Sequence, residues 1–163
     1  MASTTLLTVE EYLKTHYEWE PEYVRGELIE RAMPNKIHAR LVALLTRRLP
    51  DALYCYVEFR MRLPESVFRI PDLAAFRDEP DDFPAAPPLV TVEVTSPDDP
   101  LSEILRKCEE YRAWGVPNIW VIESEVRKFY VYTAGLSEVD RFDLAEFGFS
   151  VSAESLFAEA TAR

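Results

Sequence analysis

Ile70-Pro71-Asp72, Val92-Glu93-Val94-Thr95-Ser96 and Arg106-Lys107 are the stretches on which the reading of this chain turns. Asp72 closes one apolar run. Glu93 interrupts another, Leu89-Val90-Thr91-Val92-Glu93-Val94. A carboxylate inside a strand that otherwise reads as core is costly unless something compensates it. A divalent cation compensates two such groups well, because hard cations take oxygen ligands. Two carboxylates and one lysine make a minimal set for metal-assisted phosphodiester chemistry.

Outward from Glu93, the pattern alternates between strands and helices. Leu89–Thr95 is nearly continuous in apolar residues, as at a sheet centre. Ser96-Pro97-Asp98-Asp99-Pro100 ends it, and helical spacing runs from Leu101 to Trp114 until Gly115-Val116-Pro117. Upstream, Thr8-Val9-Glu10-Glu11 has the form of a capping box opening a short helix to about Thr15. Glu22–Arg31 alternates around Gly26 as a strand or tight hairpin. Leu41, Val42, Leu44, Leu45 and Leu49 mark a helix over Ile37–Leu49, stopped by Pro50. Leu53–Leu63 and Phe68–Phe76 each read as one strand. The Pro- and Asp-rich loop Arg77–Pro88 follows. Asn118–Glu123, Arg127–Thr133 and Glu138–Phe142 read as further strands, and Ser152–Ala160 as a closing helix. The mixture predicts an α/β fold, one mixed β-sheet flanked by helices, in a single domain over residues 1–163.

Composition narrows the class. Of the 163 residues, 48% are hydrophobic and 29% charged, ordinary for a globular protein. No run approaches the ~20 apolar residues of a membrane span, and Met1–Leu7 lacks the basic and apolar regions of a signal peptide. Cys55 and Cys108 sit inside apolar patterns and read as buried thiols rather than a disulfide. A cytoplasmic protein is expected. The net charge of −11 argues against nonspecific coating of nucleic acid. Its distribution is uneven: residues 25–72 carry nine basic and six acidic side chains, whereas residues 73–103 carry one basic and eight acidic.

Each candidate has a plainer alternative. Asp72, after Pro71, could be a strand-end aspartate facing water. Glu93 shares a strand face with Thr91 and Thr95, and that face could be solvated or could line a cleft. Lys107 lies about 100° from the centre of its helix's apolar stripe, a boundary position. Its stem could cover core edge, or its ammonium could reach the two carboxylates. His38 faces the core side of its helix and reads as a satisfied buried histidine. With His16 as the only other histidine, a structural zinc site is not supported. There is no Gly-rich phosphate loop and no Gly-x-Ser-x-Gly elbow. Arg60, Arg62 and Arg69 could hold a nucleic-acid backbone, Arg60 and Arg62 on one face if their strand is regular. A solvated strand face is the favoured reading for all three.

Taken together the elements resemble the PD-(D/E)XK nuclease superfamily, the restriction-endonuclease-like fold. Pro71-Asp72 matches its first half-motif. Glu93 matches the second, but Thr95 stands where the lysine is usual. In some branches that lysine migrates to the following helix, and Lys107 fits that place. The chain is most similar to the Uma family, a domain-of-unknown-function branch described as restriction endonucleases. The matching stretches are Glu22–Glu30, Pro34 with His38, Ile70–Asp72, Val92–Pro97, and Lys107 through Tyr111 and Gly115-Val116-Pro117 to Trp120. The resemblance implies Asp72 and Glu93 as metal ligands and Lys107 as the catalytic lysine. It adds Glu22 as an N-terminal carboxylate on the metal, with Glu27 as the alternative. It implies Mg²⁺, or Mn²⁺, as cofactor and DNA as substrate of an endonuclease. A chain of 163 residues has little surface to span a duplex and cutting both strands takes two sites, so a homodimer is expected. Two alternatives stay open: a catalytically silent nuclease fold used for binding, and a metal-dependent nucleotide phosphohydrolase.

Overall fold

The structure, a computed structural model, describes residues 6–96 and 98–162; Pro97 of the motif stretch lies outside them. In chain order the elements are α1 (Val9–Lys14), β1 (Glu22–Val24), β2 (Glu27–Ile29), α2 (Lys36–Arg48), β3 (Tyr54–Val57), β4 (Met61–Leu63), β5 (Val67–Arg69) and β6 (Leu73–Phe76). Then come β7 (Val90–Thr95), α3 (Leu101–Trp114), β8 (Asn118–Glu123), β9 (Lys128–Tyr132), β10 (Leu136–Val139), β11 (Arg141–Leu144), a 3₁₀ turn, β12 (Phe149–Ser152) and α4 (Ala153–Thr161). Six strands form the main sheet in the order β10-β9-β8-β7-β6-β3. A second sheet runs β2-β1-β5-β4, and β11 pairs with β12. Among the described residues only β7 and β8 are parallel, and α3 is the crossover that parallel pairing requires. The expected mixed α/β fold with flanking helices is therefore present. Among the described residues no helix is long and apolar enough to cross a membrane.

Local chemistry explains the ends of the elements. Thr8 and Glu11 cap α1 reciprocally, as the capping box predicts. Arg25 (φ 49°) and Gly26 (φ 99°) turn β1 into β2 with two left-handed residues, the two-residue turn that suits a twisted hairpin. A Cβ on Gly26 would come within 2.8 Å of the Leu6 Cβ. Asn35 accepts from the His38 N–H at 3.0 Å and starts α2, which places His38 in the first turn. Gly115, at φ 106°, ends α3.

The main sheet is covered on both faces. On one, α2 and α4 bury Leu41, Leu45, Leu156 and Phe157 against Val92, Val94, Trp120 and Phe129. On the other, α3 buries Ile104, Cys108 and Tyr111 against Ala74, Ile119 and Val121. Alternation assigns Val92 and Val94 to the first face and Thr91 and Glu93 to the second. Glu93 thus faces α3, and is only 4% exposed. Both cysteines are free thiols.

Three sequence expectations need correction. Leu53–Leu63 is two strands, β3 and β4, and Phe68–Phe76 is also two, β5 and β6. Yet the four belong to one hairpin with one continuous register, Val57 opposite Leu73 and Met61 opposite Arg69. Both arms kink at the same level, at Glu58 (φ 51°) on one and at Ile70-Pro71-Asp72 on the other, where the Glu58 N–H reaches the Asp72 carbonyl at 3.3 Å. The ladder thereby passes from one sheet to the other. Third, Glu138–Phe142 is cut at Asp140, so its halves join different sheets, the second pairing with β12, which periodicity did not bring out.

The kink also disposes of a common face for Arg60 and Arg62. Arg60 lies outside the strands, over the rings of Tyr12 and Phe83, and pairs with Glu20. Arg62 lies over Phe68. Arg69 is not on a solvated face at all. It is 0% exposed, with Nη1 2.8 Å from Glu22 and 2.7 Å from Glu103, and Nε 2.6 Å from Glu110.

Removing one member of a buried ion cluster leaves the others uncompensated. Arg69→Met is therefore expected to destabilise the protein by about 3–5 kcal/mol in urea unfolding. Arg77→Ala, which removes an exposed pair with Glu146 and a contact with the Phe147 ring, should shift the midpoint by far less, within about 1 kcal/mol. Equal midpoints for the two variants would show that the Arg69 cluster contributes nothing.

Candidate active site

The kink at Ile70-Pro71-Asp72 sets the first carboxylate. Leu73 pairs with Val92, so Asp72 stands beside Glu93 where β6 begins. The Asp72 Oδ2 accepts from the Val94 N–H at 2.7 Å, and its Oδ1 lies 3.2 Å from the His38 Nε2 and 3.8 Å from Arg31. Glu93 is held from the other side. Lys107 and Tyr111, one turn apart on α3, share a helix face. The Lys107 Nζ donates to Glu93 Oε2 at 2.8 Å and the Tyr111 hydroxyl to Oε1 at 2.7 Å. Lys107 also lies 3.1 Å from Glu22 Oε1. Glu22, at the start of β1, accepts from the Ile70 N–H at 2.9 Å and from Arg69 at 2.8 Å.

These side chains open onto one cleft of about 410 Å³, whose walls include Glu22, His38, Asp72, Glu93 and Lys107. Glu30, Asp98, Asp99 and Glu103 add to its acid, while among the described residues Arg31 and Lys107 are its only permanent cations. Of the sequence candidates, Asp72, Glu93, Lys107 and Glu22 come together. Glu27 is exposed on β2 and does not line the cleft. Lys107 is 7% exposed, and of the two carboxylates expected to meet its ammonium it contacts Glu93, its other partner being Glu22.

Burial sets the proton affinities. It pushes the Glu93 carboxyl up to about 7 despite the Lys107 ammonium, with the charges of Asp72 and Glu22 adding to the rise. Burial would also raise Glu22, but Lys107, Arg69 and the Ile70 N–H outweigh it and hold that carboxyl below its ordinary value. Asp72 is likewise held low against burial, by His38, Lys107 and the Val94 N–H. Burial disfavours the His38 imidazolium, yet the Asp72 carboxylate beside it raises its proton affinity. Lys107 is held charged by Glu22, Glu93 and Asp72 in the face of desolvation.

Two residues of the site were not picked out as such. His38 was assigned to structure because it faces the core side of α2. It does, but the core there ends at Asp72. Tyr111 stood in the sequence within the stretch that carries the family resemblance, with no role assigned to it. Its spacing of four from Lys107 was the available signal, since residues four apart on a helix reach the same neighbour.

The chain matches the Uma2 family, described as "Putative restriction endonuclease", over residues 9–161, and belongs to that family. No curated protein matches it. Among solved structures, it is similar to the crystal structure of "a putative nuclease belonging to DUF820" from Anabaena variabilis ATCC 29413. The TM-score is 0.78 at 19% sequence identity, over 94% of this chain and 99% of that one. At this identity the likeness establishes a shared fold.

The raised Glu93 carboxyl has a measurable consequence for the metal-free protein. Its folded value lies above its unfolded one, about 7 against 4.5. The stability it contributes is therefore complete below pH 4.5 and is lost as pH rises through 7, up to about 3 kcal/mol. His38, raised above 6.5, acts with the same sign. Urea unfolding in chelator should show stability falling across this window, and Glu93→Gln should flatten much of the slope. Parallel profiles for the two proteins would remove Glu93 as the source.

Proposed function

As a member of this family, the protein is, we propose, a Mg²⁺-dependent endonuclease that hydrolyses DNA phosphodiester bonds, Mn²⁺ serving in place of Mg²⁺. The observation that carries the reading is the seating of the Lys107 ammonium against Glu93 on the cleft wall that Asp72 also lines. Three groups far apart in sequence, one cationic and two anionic, are buried toward one opening, at a cost in desolvation that packing alone does not require.

The donor set suits a hard cation. Asp72 and Glu93 offer carboxylate oxygens, and among the described residues the cleft's one soft donor is the Met33 thioether. Among the described residues no group of three or more His, Cys, Asp and Glu side chains is disposed to hold a metal. Mg²⁺ does not require one, since it commonly binds through one or two carboxylates and keeps several waters. When bound it supplies Lewis-acid chemistry, offsetting phosphate charge and acidifying water. Asp72 and Glu93 would hold it. Glu22 is paired with two permanent cations, Arg69 at 2.8 Å and Lys107 at 3.1 Å, whose charges would oppose a metal ion on the same carboxylate. We therefore assign Glu22 to holding Lys107 rather than to the metal. Lys107, kept protonated, orients the attacking water by hydrogen bonding and offsets charge that grows on the phosphate oxygens. His38 and the Val94 N–H hold Asp72 in place.

The acidic cleft is also compatible with a small nucleotide as substrate, and the substrate panel decides between the two. A cleavage assay with Mg²⁺ or Mn²⁺ on single-stranded, duplex and branched DNA, with nucleoside triphosphates alongside, should show metal-dependent DNA hydrolysis. Lys107→Ala should lower turnover by about 10²–10³-fold, and Asp72→Asn and Glu93→Gln at least as much. Millimolar Mn²⁺ should raise the melting temperature of the wild type by linkage, but not that of Glu93→Gln. Hydrolysis of nucleotides alone, or equal activity in Lys107→Ala, would end the endonuclease reading.

A twofold homodimer completes the proposal, because cutting both strands of a duplex calls for two sites and cyclic dimers are the commonest assembly. Light scattering at micromolar concentration should give twice the 18.8 kDa chain mass. A strict monomer would redirect the proposal toward nicking or single-strand cleavage.

A further inference from the structure

Glu93 is grasped from behind. Each of its oxygens has its own donor from α3, Lys107 on Oε2 and Tyr111 on Oε1. Tyr111 is 0% exposed and does not line the cleft, so its hydroxyl touches neither solvent nor anything that enters there. Packing does not call for that hydroxyl. The ring lies in the cluster of Ile104, Cys108, Val116, Ile119 and Val121, which a phenylalanine would fill equally well. A buried tyrosine hydroxyl is tolerated only with an acceptor, and its acceptor is the carboxylate on the cleft wall.

Lys107 alone would not fix that carboxylate. Its ammonium is shared with Glu22 at 3.1 Å, and a lysine stem is flexible. The phenol is rigid, with two side-chain torsions. We propose that Tyr111 is a positioning residue: it locks the Glu93 carboxylate in the one orientation that presents its free lone pairs to the cleft. This rests on the nuclease reading above, and it adds a residue that acts only through Glu93.

Tyr111→Phe removes the donor and keeps the ring. Groups that orient metal ligands typically change metal affinity or activity by 10–100-fold. Mn²⁺ binding, followed by calorimetry and by the electron paramagnetic resonance of the free ion, should weaken by about tenfold or more. Turnover at saturating Mn²⁺ should fall by a comparable factor while KM for DNA stays unchanged. Val116→Ala is the packing control: it thins the same cluster and should lower the melting temperature with Mn²⁺ affinity and turnover as in the wild type. Measurement in the cold with sucrose, which favours the folded state, keeps both variants folded, as circular dichroism verifies. Wild-type affinity and turnover in Tyr111→Phe would overturn the positioning role and leave the nuclease reading standing. So would equal losses in Tyr111→Phe and Val116→Ala, which would reduce the effect to packing. A wild type that neither binds Mn²⁺ nor cleaves DNA would overturn the nuclease reading, and this inference with it.

Discussion

A carboxylate placed in the middle of a covered sheet must be answered from within the fold, and Glu93 is that carboxylate. Its strand is packed on both faces, so water reaches it only from the cleft. The answer comes from α3, and it comes from there for a topological reason. β7 and β8 are parallel, parallel strands need a crossover, and the crossover helix must lie on one face of the sheet. It lies on the face to which Glu93 points. Lys107 and Tyr111 reach Glu93, while Glu103 and Glu110 on the same helix reach Arg69. Arg69 ties down Glu22, and Glu22 closes the ring on Lys107. The ion lattice is one connected object, built on the need to keep Glu93 compensated.

Asp72 reaches the same place by a different route. A regular hairpin arm from Phe68 to Phe76 would carry Asp72 as one more ladder residue. The paired kinks at Glu58 and Pro71 transfer the ladder between sheets, and Asp72 lies at the corner, where its side chain takes the Val94 N–H and His38. The corner is also where the two sheets diverge, so the cleft and the carboxylate arise from the same irregularity.

How much of this could be read from the sequence follows from what periodicity encodes. The helices and the central strand were legible, because capping residues, prolines and continuous apolar runs are local signals. α3 emerged at its observed bounds, Leu101–Trp114. Glu93 stood out because a charge in an apolar run is itself a signal. The kinks were half legible. Pro71 announced an irregularity, but its counterpart, a glutamate with positive φ at position 58, carries no compositional mark. Nor does alternation say which sheet a strand joins, which is why Leu53–Leu63 read as one element. β12 was missed because Phe149 and Val151 give only two apolar positions, too few to separate a short strand from a loop. Arg69 was misplaced for a related reason. An arginine is read as exposed by default, and only the convergence of three carboxylates from β1 and α3 overturns that default.

The same pairing changes the meaning of the charge distribution. The excess of basic residues over 25–72 suggests a face for a polyanion. In the fold much of it is spent: Arg69 is internal, Arg25 faces Glu65, Arg31 faces Glu58 and Asp72, Arg48 and Arg47 reach Glu159, and Arg60 meets Glu20. The cleft itself is acidic. Under the proposed reading, a phosphodiester approaching Asp72 and Glu93 meets repulsion from both, and in a partly buried cleft that repulsion is weakly screened. Lys107 offsets only part of it in the ground state, since Glu22 and Glu93 already share its charge. The proposed cation is then more than an activator of water. It is a condition for the substrate's phosphate to enter at all, so that metal and substrate would bind cooperatively in this site, each lowering the electrostatic cost of the other.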